Sequence, residues 1–78
     1  MGIFTKYEVT RIALRQGKDL CLESFNDRDT AIESAKRKAK SDDRICVIEA
    51  RYASQNYFDK KLSIDSHIIW AAWLNVEG

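Results

Sequence analysis

The chain has few of the residues on which recognisable chemistry depends. Among 78 residues it holds one histidine, two cysteines, three glycines and no proline. With a single His and no CxxC or HxxxH spacing, neither a metal site nor another cofactor is expected. The glycines are Gly2, Gly17 and Gly78, so no Gly-rich loop exists to cradle a phosphate. No apolar run is long enough for a membrane-spanning helix. The opening MGIFTKYEV lacks the basic start and apolar core of a signal peptide. Gly2 does not open a myristoylation motif, because Lys6 stands where that motif needs Ser or Thr. A cytoplasmic location is therefore expected, with Cys21 and Cys46 reduced and acting as small apolar residues. Charge of one sign is also missing: 13 basic and 12 acidic residues leave a net +1. A general nucleic-acid binder carries more positive bias, and a mimic of DNA far more negative.

What is present suffices for one small domain spanning residues 1–78, with a single-layer core between one sheet and one helix. The most apolar stretch runs from Ile64 to Val76. Its β-branched and aromatic residues, free of Gly, read as a long strand. Ile64, Ser66, Ile68, Trp70, Ala72, Leu74 and Val76 share the face expected in the core. The alternate face holds Asp65, His67, Ile69, Ala71, Trp73 and Asn75. A strand apolar on both faces, in so short a chain, predicts that one face meets another molecule.

The rest of the chain supplies the partners of that strand. Ile3 to Leu14 alternates, with Ile3, Tyr7 and Val9 on one side, until the phase flips near Thr10 or Arg11. A β-bulge or sharp bend is predicted there. Gly17 provides a positive φ for the turn into a second strand, Leu20 to Phe25, with Leu20 and Leu22 facing inward. Asn26 or Asp27 caps a helix that runs to about Ser41, with Ala31, Ile32, Ala35 and Ala39 in one core-facing stripe. Arg44 to Ala53 forms a third strand. Cys46, Ile48, Ala50 and Tyr52 share one face, with Cys46, Ile48 and Tyr52 expected in the core, and Ile45, Val47, Glu49 and Arg51 share the other. A long loop, Ser54 to Leu62, leads to the last strand. The order is ββαββ: an α+β fold with a four-stranded antiparallel sheet and one helix packed on one face. Beside the helix stripe, the expected core is Tyr7, Val9, Leu20, Leu22, Cys46, Ile48, Tyr52, Ile68, Trp70, Ala72 and Leu74.

Catalysis is not expected. Asp65 could orient His67, but a dyad needs a nucleophile, and Ser66 points to the opposite face. No catalytic residue is assigned. The candidate binding residues fall into three groups. Lys36, Arg37 and Lys40 make the later turns of the helix basic, as a solvated face or as a contact for phosphate or an acidic protein. Tyr57 and Phe58 beside Lys60 and Lys61 combine stacking with charge, which suits single-stranded nucleic acid or a lid over the open end of the core. Ile69 and Trp73, together with Ile45, Val47 and Ala71, would form an apolar patch opposite the helix, fit for a second copy or a target protein.

The centre SFNDRDTAIESAKRKAKSDDRICVIEARY and the end IIWAAWLNVEG, taken together, resemble the small bacteriophage-encoded host-takeover proteins. In layout the chain is most similar to anti-CRISPR inhibitors of type I surveillance complexes, over residues 3 to 76. The resemblance implies a non-catalytic inhibitor that binds a host CRISPR RNA-guided complex and blocks target DNA or nuclease recruitment. Some such proteins mimic DNA with acidic surfaces. The +1 charge departs from that mode and fits basic contacts on the backbone of the complex instead. Two other readings stand beside it: a nucleic-acid-binding module using the basic helix and aromatic loop, and a structural homodimer joined through the sheet face.

Overall fold

The structure, a computed structural model, describes residues 3–13, 17–53 and 63–74. Strands β1 (Phe4–Arg11) and β2 (Leu20–Phe25) precede helix α1 (Arg28–Ala39). Strands β3 (Ile45–Tyr52) and β4 (Asp65–Ala71) follow, and β4 runs into a single 3-10 turn, Ala72–Leu74. The four strands form one antiparallel sheet in the order β2-β1-β3-β4. This is the ββαββ layout that the hydrophobic pattern predicts. The last strand is shorter than expected, because its backbone coils at Ala72.

Local chemistry explains the boundaries. Gly17 sits at φ 113°, a conformation that only glycine adopts without strain. Asp27 caps α1: its carboxylate accepts from the Thr30 N–H and from the Thr30 hydroxyl, both at 2.8 Å. Those bonds hold the Asp27 carboxyl below its usual range. Asp29 in the first turn and Lys36, Arg37 and Lys38 in the last suit the two ends of the helix dipole.

Helix α1 lies across one face of the sheet. Ala31 and Ala35 are fully buried, Ile32 and Ala39 are half-buried, and alanines allow close approach to the strands. Beneath them lie Val9, Ile45 and Val47, with Tyr7, Leu22, Phe25, Ile69 and Trp70 packed around. Ser34 is buried as well, because its hydroxyl donates to Glu23 on β2.

The face assignment of β3 is the reverse of the expected one. Ile45 and Val47 lie under the helix at 1% and 0% exposure, and Glu49 and Arg51 share their side. Cys46 and Tyr52 are buried as expected, and Ala50 with them, but on the face opposite the helix. A central strand is apolar on both sides, so alternation alone does not select the side that the helix covers.

Two bulges account for the other differences. Val9 pairs with Glu23 and Thr10 with Cys21, which leaves Leu22 as the extra residue. The irregularity falls at the level where the sequence predicts one, but on β2 and not on β1. It lets Leu22 reach the core, while Phe25 also turns under the helix and Leu20 stays exposed. On β4, Val47 pairs with Trp70 and Ile48 with Ile68, so Ile69 is the extra residue. Trp70 and Ile68 therefore occupy opposite faces despite their even spacing. Ile68 is 43% exposed and Leu74 67% exposed, so neither belongs to the core expected of them. The patch predicted from Ile45, Val47, Ile69, Ala71 and Trp73 does not form. Two of these residues are covered by α1, Ile69 packs against the core, and Ala71 is buried on the other face.

Candidate binding surface

The basic residues of α1 are placed by their spacing from the alanine stripe. Lys36 and Lys40 each follow a stripe residue, Ala35 and Ala39, by one position. They therefore stand about 100° round the helix from the buried seam, at its rim. The rim faces the end of β4, where Trp70 packs half-buried against the core. Between them lies a shallow hollow of about 330 Å³, lined by Lys36, Ala39, Lys40, Asp43, Trp70 and Ala72. A second hollow of about 360 Å³ is lined by Ile12, Asp43, Arg44 and Trp73. Asp43 lines both, so the two hollows adjoin as a furrow at the end of the helix, with Lys36, Lys40 and Trp70 in one and Arg44 and Trp73 in the other. Trp73 is 39% exposed in it.

The turn that carries Asp43 and Arg44 is fixed by Asp42. Its carboxylate accepts from the Arg44 backbone N–H at 3.0 Å and from Arg11 Nε at 2.7 Å. The Arg44 bond, then the Arg11 guanidinium, holds the Asp42 carboxyl below its usual range. Lys38 is committed elsewhere, to Glu23 at 3.0 Å. No ion pair within the described residues engages Lys36, Arg37 or Lys40. The furrow therefore presents uncommitted cations beside the Trp70 indole, an arrangement that attracts anions and flat rings.

The predicted site residues are not all brought together. Lys36 and Lys40 line one hollow of the furrow with Trp70, and Trp73 lines the other. Arg37 is exposed on the helix but does not line it. Ile69 lies at a third hollow, about 240 Å³, with Ile68, Trp70, Ala71 and Leu74 on the outer side of β4. Tyr57, Phe58, Lys60 and Lys61 lie outside the described residues. Trp70, Asp43 and Arg44 line the furrow without having been singled out. The signal for Trp70 lay in the i, i+4 pair Lys36 and Lys40, which flanks the stripe that packs on the sheet.

The titratable residues of β4 are paired for structure. His67 Nε2 lies 3.0 Å from Glu49 Oε1 on β3, not beside Asp65. Asp65 is taken by Arg51 in a two-bond pair, which holds its carboxyl low. Among the described residues no nucleophile is bonded to either pair. Among the described residues no cluster of His, Cys, Asp and Glu could hold a metal ion, and no helix is long and apolar enough to cross a membrane. Cys21 and Cys46 are not joined in a disulfide. No known family model, curated protein sequence or solved structure matches the chain.

Proposed function

We propose that this chain is a small non-catalytic binding protein, an inhibitor of the phage type that occludes a host complex such as a CRISPR RNA-guided surveillance complex. The observation that supports it is the furrow: Lys36 and Lys40, without ion-pair partners among the described residues, stand over Trp70. A groove with cations at its rim and an indole in its wall suits the anionic, RNA-bearing surface of such a complex. The protein would act by occupying that surface, in the cytoplasm of the host cell. Electrostatic attraction of this kind sets the association rate more than the dissociation rate.

The same juxtaposition favours a second reading, a module for bare single-stranded nucleic acid. There the lysines would meet phosphates and the indoles would stack on bases. Salt separates the two. Affinity for a free single strand falls steeply and log-linearly with salt, with a slope set by the number of phosphates contacted. The test is binding of the purified chain to a purified type I surveillance complex and, separately, to a single-stranded oligonucleotide. Binding to the complex that survives physiological salt supports the inhibitor. Binding to the oligonucleotide alone replaces it with the second reading, and binding to neither removes both.

A further inference from the structure

Strand β4 ends the sheet, and nothing among the described residues pairs with its outer edge. The opposite edge, β2, is protected. It is short, broken by the Leu22 bulge, and tied to the helix through Glu23, Ser34 and Lys38. Edges without such protection are templates for another strand. On β4 the bulge comes late, at Ile69, and leaves the preceding residues in regular register with β3. Asp65, Ser66, His67 and Ile68 are exposed in succession, so both faces of this half-strand are open. Ile64 stands at the bend just before the strand, its N–H bonded to the Arg51 carbonyl at 2.7 Å.

We propose that two copies of this chain pair through the outer edges of β4, antiparallel, about a two-fold axis at Ser66. The register follows from the residues themselves. A two-fold normal to the sheet keeps every residue on its own face, so only residues of like parity can stand opposite each other. Before the bulge, three registers qualify. An axis at Asp65 sets two carboxylates face to face. An axis at His67 sets two imidazoles face to face and places Ser66 against Ile68. An axis at Ser66 sets Asp65 opposite the partner's His67 and Ile64 opposite the partner's Ile68.

That register satisfies both faces at once. On the helix side, Glu49 and His67 already pair across β3 and β4, as do Arg51 and Asp65. Joining the edges at Ser66 extends these into rows in which carboxylate acceptors alternate with nitrogen donors. Each row reads Glu49, His67, then the partner's Asp65 and the partner's Arg51. On the other face Ile68 is 43% exposed in the single chain, and Ile64, at the bend before the strand, is 52% exposed. Four isoleucines from two copies close over one another there, in cross-strand pairs of the kind that stabilise sheets. The result is a continuous eight-stranded sheet with both helices on the same side. The contact is smaller than a standard interface, so the dimer belongs to the weak, roughly micromolar class. The furrow lies on the helix side and is not part of the contact, so this inference stands apart from the proposed function.

The test is sedimentation velocity over a concentration series, with two variants. The native chain is expected to shift from one to two copies across the micromolar range. Ile68→Lys sets a charge on the partner's Ile64 and is expected to remain a single copy with an unchanged thermal melt, because Ile68 contributes little to the core of one chain. Ser66→Cys, made in a Cys21→Ser background, places a thiol on the axis and is expected to form a disulfide-linked pair of chains under mild oxidation. A native chain that stays single throughout, an edge open only to some other strand, overturns the proposal. So does an Ile68→Lys chain that still dimerises, or a dimer that Ser66→Cys fails to cross-link. If Ile68→Lys does not fold, the cross-link decides alone.

Discussion

Ile45 and Ile68 are the same residue in two environments, and their truncation separates the observed face assignment from the one that simple alternation gives. Ile45 is 1% exposed beneath α1, against Val9 and Val47. Ile68 is 43% exposed on the opposite face. Ile45→Ala removes buried methyl groups and leaves a void that the alanine-lined helix has few atoms to fill. The expected loss is about 2–5 kcal/mol. For Ile68→Ala, little area leaves water on folding, and a loss under about 1 kcal/mol is expected. A domain of this size has a total stability of roughly 4–12 kcal/mol, so the first change consumes a large part of it and the second does not. Urea unfolding at submicromolar concentration, where any dimer is dissociated, gives the comparison directly. With a slope near about 1 kcal/mol per molar, Ile45→Ala should lower the midpoint by at least about 2 M. If Ile68→Ala costs as much as Ile45→Ala, the helix does not lie on the Ile45 side and the described core is wrong.

Other expectations concern ionisation and packing. Burial pushes the Cys46 thiol up to about 11 from an ordinary 9.0, and burial with Glu8 also raises Tyr52. The folded state then holds protons that the unfolded chain releases, so stability is complete below pH 9 and falls as pH rises beyond it. Cys46 alone accounts for on the order of 2 kcal/mol of that fall, and urea melts between pH 8 and pH 11 on native and Cys46→Ala chains should show it shrink in the variant. Asp42, Asp65 and Glu23 are held low by their partners, so in acid the unfolded chain takes up protons first. Stability should decline as pH drops through the carboxylate range, less so in Asp65→Asn, as followed by circular dichroism. Glu23→Ala and Ser34→Ala break the same contact between β2 and α1, so the double variant should melt close to the worse single one. Trp73→Ala should leave the melt nearly unchanged, because its ring stands in the open furrow, while Trp70→Ala should lower it.

The elements and their order could be read from the sequence because period and punctuation agree there. One stretch alone, Asp27 to Ser41, carries a helical stripe, and Asp27 and Gly17 mark the boundaries that the structure uses. The furrow was half visible, since Lys36 and Lys40 sit one step from Ala35 and Ala39. What alternation could not supply was the side of β3 that meets the helix. Ile45 with Val47 and Cys46 with Ile48 are equally apolar pairs, and long-range packing makes the choice. Nor could it supply the bulges at Leu22 and Ile69, each a single-residue slip that changes which face its neighbours occupy. The slip at Ile69 is why Ile68 moves from an expected core position to an exposed one.

The central claim, that the furrow is the binding surface, is tested most directly by association kinetics on an immobilised type I surveillance complex. Native chain and Lys36→Glu/Lys40→Glu chain would be compared at low salt, with circular dichroism confirming that both fold. The account predicts that the native chain binds, and that the variant associates at least about tenfold more slowly with a smaller change in dissociation. A native chain that does not bind, or a variant that associates as fast as the native chain, contradicts it.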